Sequence, residues 1–307
     1  MKNVMIDGAS SPLAAKLAEA LSHRTEVQRL VGVEPEVSAH WSPDVELIDC
    51  EVDHRLQLQY LQDYEIDTVI QCGFSHGRTG AAGEGPGADV IETMRLSAAI
   101  GHAGSPVRSW VVLSSSDVYP VDSKRPLLDD ERSPTDSVEG SLGASIIEAE
   151  EYVVDVARRS PHVNVAILRL QELVGKGVRG PLAAHFDQSI VPHVLGHDPL
   201  LQFLHLEDAI QAIAFAADLE LAGIYNVASR EAIRFEELIR FLGKSSVPLL
   251  PIESGALASI ASRLGLPNLR DELLAKLRFG HVIDTCKIEA AGFKASADQF
   301  DCATAMG

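Results

Sequence analysis

Strand-length apolar runs alternate with amphipathic helical periods through the first two-thirds of this chain, and that alternation limits its folds more than any other feature. Val4–Asp7, Leu30–Val33, Val45–Ile48, Thr68–Cys72, Trp110–Ser114 and Val163–Leu168 are short and apolar throughout, as strands buried on both faces must be. Between and after them, Leu13–Leu21, Leu56–Tyr64, Val90–His102, Ile146–Arg158 and Leu206–Asp218 place apolar residues at helical spacing. This order predicts an α/β fold: a doubly wound parallel sheet with helices on both faces. After residue 240 the pattern gives way to short helical stretches and turns around Pro248, Pro251 and Pro267, which predicts a small second lobe.

In such a sheet ligands bind beyond the carboxyl ends of the strands. The first of these turns reads Asp7-Gly8-Ala9-Ser10-Ser11-Pro12-Leu13-Ala14. A dinucleotide fold needs glycine at the tight turn, glycine where the backbone meets a pyrophosphate, and a small residue where helix meets sheet. Gly8 meets the first need, Ser11 replaces the second glycine, and Ala14 is small enough for the third. Pro12 suits the first helical turn and Ser10 or Ser11 can cap it, so the helix N-terminus carrying Leu13 still faces a phosphate. Glu34, 26 positions after Gly8, ends the second strand. A carboxylate there accepts both ribose hydroxyls of an adenosine and repels a 2′-phosphate, which favours NAD over NADP. Two further loops lie at strand ends, the glycine-rich His76–Asp89 and the polar Asp117–Glu139.

The charge balance sets the partner class. Lys and Arg number 26 against 44 Asp and Glu, a formal net charge of −18. Nucleic acid and anionic membranes need basic surface and counterion release, so neither is expected as a partner. No run of ~18 apolar residues suggests a membrane span, and the N-terminus lacks the longer apolar stretch of a secretory leader. The four cysteines (Cys50, Cys72, Cys286, Cys302) are dispersed and no histidine stands at ligand spacing, which predicts reduced packing thiols, no metal site and a cytoplasmic location.

Further landmarks stand in order along the chain: Gly8-Ala9-Ser10-Ser11-x-Leu13, Val31-Gly32-Val33-Glu34, Asp67-Thr68-Val69-Ile70, Leu113-Ser114-Ser115-Ser116-Asp117-Val118-Tyr119, Ile167-Leu168-Arg169, Leu201–Ala209, Gly223-Ile224-Tyr225-Asn226-Val227-Ala228 and Ala291-Gly292-Phe293. From residue 2 to about residue 300 the chain resembles the extended short-chain dehydrogenase/reductase family, the NAD-dependent epimerases/dehydratases, and is similar to an actinobacterial branch often labelled nucleotide-sugar 4-epimerases. The resemblance implies a Rossmann nucleotide-binding domain over 1–174, rejoined by 201–240, with 175–200 and 241–307 forming a substrate-binding lobe. It implies NAD contacts at Gly8, Ser11, Glu34, Glu51 or a neighbour after the third strand, and Gln71-Cys72-Gly73. It also implies a homodimer through the helices around Asp89–His102 and Ile146–Arg158.

Members of that family use a Ser/Thr, a Tyr, and a Lys four residues after the Tyr. A phenol of pKa ~10 needs a nearby ammonium to exchange protons near neutrality. Ser115 fits the hydroxyl position. The residues four places after Tyr60, Tyr64, Tyr119, Tyr152 and Tyr225 are Tyr64, Thr68, Ser123, Val156 and Ser229, and none is lysine. Aligning the following helix by Glu148 puts Gly140 and Ala144 at the Tyr and Lys places; aligning by Glu150 puts Leu142 and Ile146 there. Asp89 stands at the family's active-site Asn, Arg169-Leu170 replaces Arg-Pro, and His281 takes the place of an Arg that pairs with substrate phosphate. Candidates to replace the lost acid/base are Asp117 and Tyr119, with His76 and Lys124 as further loop residues. The expected function is an epimerase/dehydratase-like protein that binds a dinucleotide and a small organic or nucleotide-sugar substrate with altered hydride chemistry. The alternatives are a catalytically silent binding relative, or a non-redox lyase or cyclase using the same cleft.

Overall fold

The structure is a computed structural model that describes residues 2–8, 11–34, 45–49, 54–72, 87–121, 131, 142–249 and 271–306. Its centre is a seven-stranded sheet. The first six strands are β1 (Lys2–Asp7), β2 (Val27–Glu34), β3 (Glu46–Asp49), β4 (Thr68–Gln71), β5 (Ser109–Ser115) and β6 (Asn164–Leu170). After them come β7 (Leu173–Gly175), β8 (Val178–Arg179), β9 (Ile190–Val194), β10 (Leu200–Leu201), β11 (Leu204–His205) and β12 (Gly223–Val227). The spatial order is β12-β6-β5-β4-β1-β2-β3, with every neighbouring pair parallel. The chain builds outward from β1 in one direction, then returns past β1 to build in the other. The doubly wound α/β expectation is thus met, and the reversal of order puts a switch point between β1 and β4.

The period-2 alternation of strand side chains divides the core between the two faces. On one face Val4, Ile6, Val111, Leu113, Ala166 and Leu168 pack under α1 (Pro12–Ser22) and α6 (Leu206–Asp218). On the other, Met5, Val69, Trp110, Val112, Val165 and Ile167 pack under α3 (Gly87–Ile100) and α4 (Leu142–Arg159), with α2 (His54–Asp63) alongside. A third core joins Phe186, Phe203, Phe235, Leu238, Leu277 and Cys302. Residues 201–240 feed two cores, since α6 lies on the sheet while Phe203 and Phe235 lie in the third cluster. Ile288 and Phe293 pack back onto the sheet core.

Element bounds follow the apolar pattern except where polar contacts extend them. β6 runs through Arg169 to Leu170, past the apolar run ending at Leu168, because Arg169 is buried and paired. β5 runs through Ser115 for a related reason: the hydroxyls of Ser114 and Ser115 are both bonded. α4 begins at Leu142 rather than Ile146. Among the described residues no helix is long and apolar enough to cross a membrane, and no group of three metal-ligating side chains converges.

Candidate active site

Two groups of residues meet the carboxyl edge of the sheet. The first is the β1–α1 turn. Gly8 follows the last residue of β1 with φ +75°, a region that L side chains rarely adopt, so the tight turn requires this glycine. Ser11 caps α1 from an extended conformation, and its Oγ accepts the Ala14 amide at 3.1 Å. Pro12 opens the helix, while Leu13 and Ala14 are buried against the sheet. Cys72 continues the register beyond β4, its amide donating to the Asp7 carbonyl at 2.8 Å across the switch point. Its side chain is buried. Glu34 ends β2 opposite Asp49 of β3. Ser10, Glu51 and Gly73 lie outside the described residues, as do His76 and Lys124.

The second group stands at the end of β5. Ser115 is its last residue, and the Ser115 Oγ accepts the Asp117 amide at 3.1 Å, capping a single 3-10 turn over Ser116–Val118. That turn sends Asp117 and Tyr119 in different directions. Tyr119 points into the protein and is 2% exposed. Its hydroxyl donates to Asn226 Oδ1 at 2.8 Å and accepts from Arg169 Nη1 at 2.9 Å, with the guanidinium 5.1 Å from the ring centre. Burial raises the phenol's pKa, although Arg169 pulls the other way. Arg169 is held in turn by Glu150 of α4, through Nε at 3.0 Å and Nη2 at 2.5 Å. Burial opposes the guanidinium charge, and the Glu150 hydrogen bonds and charge more than offset it, so its pKa rises. Ser114 Oγ donates to the same carboxylate at 2.5 Å. Tyr119 is therefore a member of a satisfied internal network, not a group presented to a cleft.

Asp117 turns toward the third core instead. Its Oδ1 accepts from Lys276 Nζ at 2.6 Å, a contact that joins the turn after β5 to the helix Asp271–Phe279. Burial disfavours the Lys276 charge, but Asp117 and Glu172 carry its pKa above the ordinary lysine value. Glu172 is buried, which raises its pKa, and its two oxygens accept the amides of Leu182 and Ala183, at 3.2 and 2.6 Å, where α5 (Pro181–His185) begins. His281 completes the group. Its amide donates to the Leu200 carbonyl at 3.1 Å, and its own carbonyl accepts from Gln171 Nε2 at 3.1 Å. Gln171 Oε1 accepts from Ser116 Oγ at 2.7 Å, which ties the histidine to the β5 turn. Burial, followed by the Lys276 charge, lowers the His281 pKa to about 3.

The structure thus brings Ser115 and Asp117 together, places Tyr119 behind them, and adds Lys276, Glu172 and Gln171, which sequence reasoning did not single out. The one sign of Lys276 was its setting between leucines in Leu273-Leu274-Ala275-Lys276-Leu277, where the helical period puts a charge beside a buried face. Nothing in the local pattern marks its partner 159 residues away.

Comparison with known proteins agrees with this architecture. A family model described as the NAD dependent epimerase/dehydratase family matches residues 4–228. An uncharacterized protein of Mycobacterium tuberculosis is 28% identical over 298 residues, which span 94% of this chain and 78% of that one. Among solved structures, UDP-glucuronic acid 4-epimerase from Bacillus cereus in complex with NAD aligns with a TM-score of 0.69 at 17% identity, over 99% of this chain and 97% of that one. UDP-glucose 4-epimerase from Thermotoga maritima with UDP-glucose gives 0.71 at 12% identity, over 99% and 97%. dTDP-glucose 4,6-dehydratase from Bacillus anthracis in complex with NAD gives 0.70 at 12% identity, over 100% and 95%.

Proposed function

The chain belongs to the NAD-dependent epimerase/dehydratase family, and from that premise we propose that it binds NAD at the β1–α1 turn and a small organic or nucleotide-sugar substrate beside Ser115, with hydride chemistry altered from the family's. One observation carries the reading: the positive-φ Gly8 leads into a Ser11-capped helix at the point where strand order reverses. The donor set there suits a pyrophosphate. Pro12 has no amide hydrogen and the Ala14 amide is taken by Ser11 Oγ, so the Leu13 amide is what the first turn offers an anion. Ser11 Oγ accepts from Ala14 and keeps its own proton to donate. Glu34 would take the adenosine ribose. Ser10, Glu51, Cys72 and Gly73 would line the remaining path. NAD, when bound, supplies reversible hydride acceptance.

The altered chemistry follows from which groups could move a proton. Of the two helix registers, the Glu150 alignment has the structural support, because Glu150 grips Arg169 whereas Glu148 is exposed. That register puts Ile146, a fully buried core residue, where the family has its lysine. Tyr119 is committed to Asn226 and Arg169. Among the described candidates, Asp117 is the group left to hold or release a proton beside Ser115, with Lys276 stabilising its ionised form. The silent-relative reading has its own support in the Ser115 hydroxyl, which is already engaged as a cap. Exposed Ile91 and Met94 on α3 would suit pairing with a second copy.

Calorimetric titration with NAD and NADP tests the nucleotide half. NAD should bind at least about tenfold tighter than NADP, and Gly8→Val should abolish both. Equal binding of the two would remove Glu34 from the ribose, and wild-type affinity in Gly8→Val would remove the turn. Rapid-mixing absorbance of the nicotinamide with candidate substrates then separates the active from the silent reading.

A further inference from the structure

The group at the end of β5 contains one buried nitrogen that its own surroundings leave unused. His281 is 6% exposed, and its Nε2 has no hydrogen-bond partner among the described residues. The ring is not loosely placed. Gly280, at φ +82°, lets the chain pass so close to Leu200 that a side chain there would stand 2.6 Å from the Leu200 carbonyl. The His281 amide and carbonyl are both bonded, to Leu200 and Gln171. The ring faces the Ser116 backbone, which favours its protonated form and so a ring N–H on that side. In a neutral imidazole whose other nitrogen carries the hydrogen, Nε2 is an acceptor. A buried acceptor without a partner costs about 1–3 kcal/mol, which a ligand hydroxyl would relieve.

The charges around the ring say which ligand. A phosphate offers oxygens that accept, so it needs donors and positive charge. Lys276 is a cation, but Asp117 already holds it at 2.6 Å, and Glu172 presents a second carboxyl group to it. A phosphate here would have to displace Asp117, and it would face a nitrogen lone pair at His281. A hydroxyl fits both neighbours, because it donates to Nε2 and can accept from the ammonium.

Resting on the proposed cleft of the previous subsection, we infer that the face formed by Asp117, Lys276 and His281 receives a hydroxyl of a neutral polyol, with His281 Nε2 as its acceptor, and disfavours a nucleoside-diphosphate group. This narrows the substrate from the wider class proposed above to an uncharged, hydroxyl-bearing small molecule.

The test uses the whole chain labelled with ¹⁵N-histidine and loaded with NAD, with His281→Gln identifying the His281 signals. Glucose and UDP-glucose are the probes. Glucose should shift the Nε2 resonance, whereas UDP-glucose at the same concentration should leave it in place. In Asp117→Asn, where Lys276 has lost its counter-charge, UDP-glucose should bind at least about tenfold more tightly than to wild type. The inference is overturned if UDP-glucose moves Nε2 and binds wild type as tightly as the variant. It is equally overturned if neither probe moves the resonance, because solvent alone then meets that nitrogen. The wild-type titration stands if Asp117→Asn does not fold. Should NAD fail to bind, the nucleotide reading falls by itself and the same titrations are read on the protein without it.

Discussion

Among the described residues, two ion pairs meet the polar residues that end β5 and the turn after it, and they are built differently. Arg169 and Glu150 have side chains only 5% and 8% exposed, meet through two nitrogens, and are completed by Ser114 and Tyr119. Lys276 and Asp117 are 12% and 35% exposed and meet at 2.6 Å between the turn after β5 and the helix Asp271–Phe279, in the group that holds His281. The first pair joins neighbouring layers of one core, where leaving any polar atom unpaired is costly. The second joins a strand end to a separate cluster and keeps one side near solvent. A fully satisfied network is scaffold, and an incompletely satisfied one beside a strand end is where a ligand has something to add.

Removing one partner from each pair should therefore break the protein to different degrees. Glu150→Ala strands a guanidinium in the core and should cost about 3–5 kcal/mol, read as a lower denaturant midpoint at unchanged slope. A loss under about 1 kcal/mol would mean that water reaches Arg169 and that the two pairs are alike.

The second effect is a pH dependence. The His281 pKa falls to about 3 in the folded chain, from an ordinary value near 6.5. Between these values the unfolded chain binds a proton that the folded chain does not. His281 thus contributes stability that is whole above pH ~6.5 and is lost as pH falls toward ~3, at up to ~1.4 kcal/mol per pH unit. Glu172 shifts in the opposite sense, its raised pKa favouring the folded state at lower pH. The comparison is therefore wild type against His281→Gln, whose stability should fall less steeply below pH 6.5. Parallel curves would show that the ring is hydrated.

The two pairs also differ in how much of each the sequence discloses. The apolar alternation reveals the sheet, and the Gly8–Ser11–Pro12 turn is written in adjacent residues whose backbone demands are local. Glu150 is one of two glutamates on which the sequence allows the helix to be aligned, but choosing between it and Glu148 needs the buried Arg169 that follows the apolar run of β6. Tyr119 sits next to the predicted site and was read as a candidate for chemistry. Only tertiary contacts, with Asn226 of β12 and Arg169 of β6, decide that its hydroxyl faces inward. The Lys276 ammonium and the His281 carbonyl find their partners more than 100 residues upstream, and no period or spacing encodes that distance.

The smallest effect gives the sharpest comparison. Lys276→Met removes the cation but keeps a flexible apolar stem of similar length. Asp117, a third exposed, can then take its missing hydrogen bonds from water, so the loss should stay below about 1 kcal/mol. If the pair serves binding, not folding, the same variant should keep NAD affinity while the His281 Nε2 response to glucose weakens, because the hydroxyl loses its ammonium neighbour. A loss as large as that of Glu150→Ala would place Lys276 with the scaffold and make this pair a second structural bolt. A stable variant with an unaltered glucose response would separate Lys276 from the ligand altogether, leaving His281 to act alone.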